Sequence, residues 1–379
     1  MHDLVIQAGR VVCPHTDRDG PGEVAIDGDR IAAVGIDLEG KKRIELPDAI
    51  LLPGLIDLHA HPGRAETAFH GVEPDEHMLA NGVTTVLSQG DAGAENFAEY
   101  LEHTIRLSRT RVLMALNLSR KGELASGTFA NPDDADIDAC VATVTAHPEH
   151  VWGIAVNTNR NACGETNPRL ITQRGLEAAE RTNLPLLFGM RCPEDWLLEE
   201  QLTLLRPGDV VTYCYRRRPH CIVDFEKRTV LSAVREARER GVLFDVGHGL
   251  GSFDFKVAEI AIAAGFLPDT ISTDLQRRHI DTKTIHSLPL VMGKLQAVGM
   301  PKVEILKAVT SRPAKTLRRE TELGTLIPGA CADLVALRPG MTPSTFTDVE
   351  GMERQGSAWE VALVLRGGQT SFDENQSTR

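Results

Sequence analysis

Cysteine pairs, aromatic rings, positive charge and long apolar runs are all scarce in this sequence, and each scarcity removes a class of function. The seven cysteines among 379 residues (Cys13, Cys140, Cys163, Cys192, Cys214, Cys221 and Cys331) are odd in number and widely spread, and no two form a CxxC pair. That excludes a disulfide scaffold and a zinc ribbon. Aromatics make up only 4% of the chain, which argues against stacking platforms for bases or sugars. A formal charge of -12 sets nucleic acid aside as a partner, because phosphate would be repelled from most of the surface. No apolar run approaches the roughly 20 residues that span a bilayer, so no membrane partner is expected. The start, MHDLVIQAGRVV, lacks a basic stretch followed by a long apolar one, and the expected location is cytoplasmic. What remains, 42% hydrophobic and 25% charged, is a globular chain with a large core, suited to catalysis on a small polar molecule.

The first fifty residues read as short strands and turns (LVIQAGRVV, GEVAIDGDRIAAVG, RIELPDAILLPG), and the same texture returns in GTLIPGACADLVAL and WEVALVLRGGQT. The two ends are expected to build one composite β-sandwich from residues 1–52 and 320–367, with a frayed tail at 368–379. Between them, apolar runs alternate with amphipathic stretches, the signature of βα units. The strands nominated are LLPGLIDL, GVTTVLS, RVLMALN, VWGIAV, LPLLF, DVVTYCY, VLFDVG and DTISTD. Eight units in residues 53–319 match an α/β fold of the (β/α)8 TIM-barrel type. An open doubly wound sheet would need a phosphate-binding glycine turn after its first strand, where this chain has His-Ala-His.

In a barrel, chemistry gathers at the C-terminal ends of the strands. The first run ends GLIDLHAHPG, and alternation puts His59 and His61 on one face, where two neutral imidazoles suit a divalent metal. The eighth run ends in Asp274, which barrel closure brings to the same rim, although Asp274 reads equally well as the N-cap of the next helix. Two imidazoles and one carboxylate leave room for water on a catalytic metal. In TYCYRRRPHC after the sixth strand, Tyr213, Cys214, His220 and Cys221 are candidate extra ligands, and Arg216, Arg217 and Arg218 could hold a substrate carboxylate. The glycines of DVGHGLG would let His248 project over the barrel mouth. Gln89 and Asp91 in the Gly-rich loop after strand two are read as pocket shapers at most. There is no GxSxG elbow for a serine esterase and no Gly-Lys-Ser/Thr phosphate loop.

PGLIDLHAHPG, GVTTVLSQGDAGAENF, DVGHGLGSFDF, PDTISTD, SRPAKTL and LGTLIPGACADLVAL, in that order behind an N-terminal β unit, resemble the amidohydrolase superfamily, most of all its deacetylase-type members akin to adenine deaminase and dihydroorotase. The resemblance covers nearly the whole chain. It implies a metal-dependent hydrolase of amide, cyclic-amide or ester bonds in small molecules, with His59, His61 and Asp274 as metal ligands and Asp274 also as the proton carrier. His248 is expected to be catalytic as an oxyanion partner, and Tyr213, Arg216 and His220 to bind substrate. The departures are as informative. The family's bridging lysine on strand four is replaced by Ala155, and its strand-five and strand-six histidines by Gly189 and Tyr213. The expected cofactor is therefore one divalent ion, zinc first and manganese, iron or cobalt as alternatives, whose bound hydroxide attacks a carbonyl carbon. Rival readings are a non-catalytic barrel that has lost its centre and a deaminase of a small heterocycle. A homo-oligomer is only what the resemblance implies.

Overall fold

The computed structural model describes residues 1–374 apart from 65–67, 191–195, 218–220, 281 and 283–285, with the backbone alone at 341–342. His220 and Arg218, two of the candidates named above, lie outside the described residues. In chain order the strands are β1 His2–Cys13, β2 Arg18–Asp27, β3 Arg30–Gly35, β4 Gly40–Pro53, β5 Leu55–Ala60, β6 Val83–Gln89, β7 Arg111–Asn117, β8 Val151–Asn157, β9 Leu186–Gly189, β10 Val210–Thr212, β11 Val223–Asp224, β12 Thr229–Val230, β13 Leu243–Phe244, β14 Leu334–Thr347, β15 Glu353–Arg366 and β16 Gln369–Asp373.

Strands β5-β6-β7-β8-β9-β10-β13 form one parallel sheet, with helices such as Pro168–Thr182 between successive strands. The segment 270–275 closes it. Val246 and His248 donate backbone N–H groups to Thr270 and Ser272 on one side; on the other, Asp274 N–H reaches His59 O at 2.7 Å and His61 N–H reaches Leu275 O at 2.9 Å. A buried carboxylate fastens this seam. Asp57 accepts from the Thr273 hydroxyl at 2.6 Å and the Thr273 N–H at 3.1 Å, and burial pushes its carboxyl up to about 7. The fold is the TIM barrel that the alternating pattern predicts.

The inward positions explain why the centre lies at one end. Leu87, Leu113, Ala115, Ala155, Leu187 and Val210 fill the lower barrel, above a plug of Ala314, Leu317 and Leu323. Two residues further along each strand, side chains alternate back to the same face, and there the sequence has Gln89, Asn117, Asn157, Gly189 and Thr212. An apolar layer thus supports a polar one at the C-terminal rim.

The chain ends form one seven-stranded sheet, β16-β15-β14-β4-β1-β2-β3. One face gathers Ile6, Val24, Ile31, Leu51, Leu334 and Leu363 into its own core, while Val12, Leu52, Val335 and Val364 on the other face join the barrel core. Three sequence expectations change. The nominated run LLPGLIDL is split: Leu51–Pro53 end β4 and only Leu55 onward enters the barrel. The run DVVTYCY ends at Thr212, because Tyr213 takes a positive φ of 66° and turns the chain. The tail expected to fray instead adds β16, paired antiparallel with β15 through Val364–Phe372 and Leu365–Thr370, with Phe372 packed on the core. Among the described residues no helix is long and apolar enough to cross a membrane.

Candidate metal centre

His59 near the end of β5 and His61 just beyond it are fully buried, at 0% and 2% exposure, and Asp274 reaches them from the closing segment. Among the described residues this is the one group of three metal-ligating side chains, with ligand atoms all within 4.8 Å of one another. His61 Nε2 lies 3.2 Å and His59 Nε2 3.6 Å from Asp274 Oδ1. Asp274 is held by its own backbone, at a φ of 49°, and by Gly249, where an added Cβ would stand 2.3 Å from Asp274 Oδ2. Only glycine allows the seventh-strand loop to press so close.

The other nitrogen of each ring is fixed by an outer layer. His61 Nδ1 donates to Asp91 Oδ1 at 2.8 Å, and Asp91 in turn accepts from Ser88 Oγ at 2.5 Å. His59 Nδ1 donates to Thr212 Oγ1 at 2.7 Å, and Thr212 passes its hydroxyl proton to Asp245 Oδ2 at 2.9 Å. Asp245 also takes hydroxyl donors from Thr270 and Ser272. With a proton on each Nδ1, both Nε2 lone pairs point at the gap beside Asp274, the tautomer that a metal requires. Electrostatics agree. Burial alone would lower the His61 imidazole, but Asp91 and Asp274 outweigh it and hold it well above its ordinary value; burial would raise Asp274, but the two imidazoles bring it down to about 2. The pocket favours positive charge, so a divalent cation fits the residues present.

The places of the missing ligands are filled rather than empty. A Cβ on Gly189 would stand 2.9 Å from Asn157 Oδ1 and 3.3 Å from the Tyr213 ring, so a larger side chain there would have to displace the Asn157 amide. The Tyr213 hydroxyl lies 3.4 Å from His59 Nε2. Ala155 is buried in the apolar layer.

Above the centre opens a cavity of about 490 Å3, lined by polar groups from several strand ends, among them Glu123, Asn157, Arg160, Tyr213, Arg216 and Arg278. Arg216 and Tyr213 therefore stand where the sequence places them. Arg217 does not: it pairs with Asp254 at 3.6 Å and covers Phe225. Cys214 is buried in the core and Cys221 packs against it, and burial pushes both thiols up, Cys221 to about 11, so neither offers a thiolate. His248 is also corrected. Its ring stacks on Phe253, its Nδ1 donates to Gly249 O at 2.8 Å and its Nε2 faces Lys294 at 3.0 Å, in a neighbouring cavity. Sequence reading passed over Glu123, half-buried, with Oε2 buried and without a hydrogen-bond partner and its carboxyl pushed by burial up to about 7. It also passed over Thr212 and Asp245, and gave Asp91 too small a part; the signal available was a polar residue at an inward position after apolar ones.

No family model matches the chain. Among curated proteins it is 31% identical over 358 residues to a deacetylase of Enterococcus faecalis, covering 93% of this chain and 94% of that one. It is 33% identical over 307 residues to a deacetylase of Agrobacterium fabrum, covering 79% and 74%. Two solved structures superpose along nearly the whole length: an adenine deaminase (TM-score 0.90, 30% identity, 99% of this chain and 100% of that one) and a dihydroorotase (TM-score 0.86, 29% identity, 97% and 98%). The chain belongs to the amidohydrolase superfamily of metal-dependent hydrolases.

Proposed function

We propose that the protein hydrolyses an amide, cyclic-amide or ester bond of a small, polar molecule at a single-metal centre held by His59, His61 and Asp274. The observation that carries this reading is the pair of Nε2 atoms set 3.2 and 3.6 Å from Asp274 Oδ1, and Gly189 and Tyr213, in place of the family's further histidines, support one ion over two. A divalent cation, zinc first, supplies Lewis acidity toward water and toward a carbonyl oxygen. The protein's own groups do the rest. Asp274, ionised down to about pH 2, accepts a proton from the attacking water and returns it to the leaving nitrogen or oxygen as the bond to carbon breaks. The Tyr213 hydroxyl, beside His59, is placed to donate to the developing oxyanion. Arg216 holds an acidic group of the substrate at the cavity wall. The deacetylase relatives favour an acyl group on an open-chain substrate over a heterocycle.

Elemental analysis of the purified protein beside a His59→Ala, His61→Ala double variant tests this. About one metal per chain, absent from the variant, is the expected result. Two per chain would overturn the single-metal reading, and none after incubation with zinc, manganese or cobalt would overturn the hydrolytic one and favour a non-catalytic barrel.

A further inference from the structure

A second cavity, of about 210 Å3, lies beside the first and shares none of its lining residues. Its walls come from His248 to Leu250 in the loop after β13, from His279, Thr282 and His286, from helix Leu288–Ala297 and from the tip of the β14–β15 hairpin, so both halves of the molecule contribute. Lys294 stands in it, 7% exposed. A buried ammonium needs a counter-charge or a full set of acceptors. Among the described residues Lys294 forms no ion pair, and two of its three N–H donors are used, on Thr347 O at 2.7 Å and on His248 Nε2 at 3.0 Å. Asp348, the carboxylate whose charge acts on Lys294, also accepts from the backbone N–H groups of Phe255, Glu350 and Met352. Burial brings the ammonium down to about 8.

A second donor lines the same space. His279 is 3% exposed, and its ring stacks on His286 with centroids 4.0 Å apart. Gln276 O already accepts the His279 N–H at 2.8 Å, so the Gln276 N–H, 3.1 Å from Nδ1, has that nitrogen as its acceptor. The ring proton is then on Nε2, which is buried with no hydrogen-bond partner. Lys294 and His279, each with a donor that has no partner among the described residues, both line a small cavity whose remaining wall includes Leu290, Phe346 and Val349.

We propose that this cavity is a binding site for a small carboxylate, gripped by Lys294 Nζ and His279 Nε2, separate from the metal centre. One ammonium and one neutral imidazole balance a single negative charge, and the apolar wall takes a short alkyl group. A phosphate dianion would keep a charge uncompensated against that wall. The volume, below the roughly 300 Å3 at which pockets for larger ligands begin, suits an acid of a few carbons.

Calorimetric titration of the metal-loaded protein with acetate, propionate and inorganic phosphate at constant ionic strength tests the proposal. Acetate or propionate saturating one site per chain, with phosphate much weaker, is expected. Lys294→Met should weaken binding about ten-fold or more, since a charge-assisted hydrogen bond is lost. His279→Phe, which keeps the ring stack, should weaken it too and carries the test if the lysine variant does not fold. The His59→Ala, His61→Ala variant should bind the acid unchanged, which keeps this result independent of the proposed hydrolytic function. Phosphate binding tighter than either acid, no saturable binding, equal affinity in the cavity variants, or loss in the double-histidine variant would each overturn it.

Discussion

If the outer layer sets the metal-binding tautomer, replacing Asp91 by asparagine should cost metal affinity without touching a ligand. The Asp91 carboxylate sits 2.8 Å from His61 Nδ1, 3% exposed and fixed by Ser88. Asp91→Asn keeps the shape but removes the charge, and the amide can turn its NH2 toward the ring. A buried hydrogen bond to a charged group contributes about 1.5–3 kcal/mol, or roughly ten- to a hundred-fold in affinity, the range found when such outer partners of metal-bound histidines are changed. The assay is competition for zinc with a chromophoric chelator, followed beside thermal unfolding of the metal-free protein. Asp333→Asn is the control. Asp333 is a comparably buried carboxylate at the other end of the barrel, paired with Arg111 at 2.6 Å and Arg366 at 3.3 Å and accepting from Gly367 N–H at 2.8 Å. Its loss should lower stability by about 3–5 kcal/mol while leaving zinc affinity alone. Unchanged zinc affinity in Asp91→Asn, or an equal loss in both variants, would refute the reasoning.

Two further outcomes follow from the same geometry. Gly249→Ala places a methyl 2.3 Å from Asp274 Oδ2 at a φ of 48°; the left-handed backbone costs about 1–2 kcal/mol, lowering the melting temperature by about 1–3 °C, and the displaced carboxylate should lower zinc occupancy, measured by elemental analysis. Metal affinity should also rise with pH through neutrality and beyond. His61 is held well above its ordinary value in the metal-free protein, so below that raised value a proton must leave before Nε2 can ligate, and the competition assay repeated at stepped pH should show steadily tighter binding; a flat profile would contradict the charge environment assigned to His61.

The parts of the site legible in the sequence are those governed by a fixed period or a fold rule. His59 and His61 follow from alternation along β5, and Asp274 from the closure that makes the first and last barrel segments neighbours. His248 was misread because it is flanked by Gly247 and Gly249, both at positive φ, where no strand period dictates the side-chain direction. The β16 strand was missed because Gln369–Asp373 is too polar to show as an apolar run; its place comes from pairing with β15 and from one ring, Phe372.

The three departures from the family pattern acquire a different meaning once packed. Read along the chain, Ala155, Gly189 and Tyr213 look like the loss of one metal position as a set. In the barrel Gly189 and Tyr213 pack together beside Asn157, and Ala155 packs elsewhere. Tyr213 brings its ring to the edge of His59, with centroids 5.1 Å apart, and that ring with the Asn157 amide fills the volume a residue at 189 would need. Ala155 in turn packs against the Gly90 turn, where a Cβ would stand 3.1 Å from its own and 2.8 Å from Asn117 Nδ2. A side chain larger than glycine at 189 therefore requires the Asn157 amide to move and the Tyr213 ring to give by a few tenths of an ångström. Close packing makes such changes interdependent, so restoring one ligand alone, as in Gly189→His, would create a clash before it created a site.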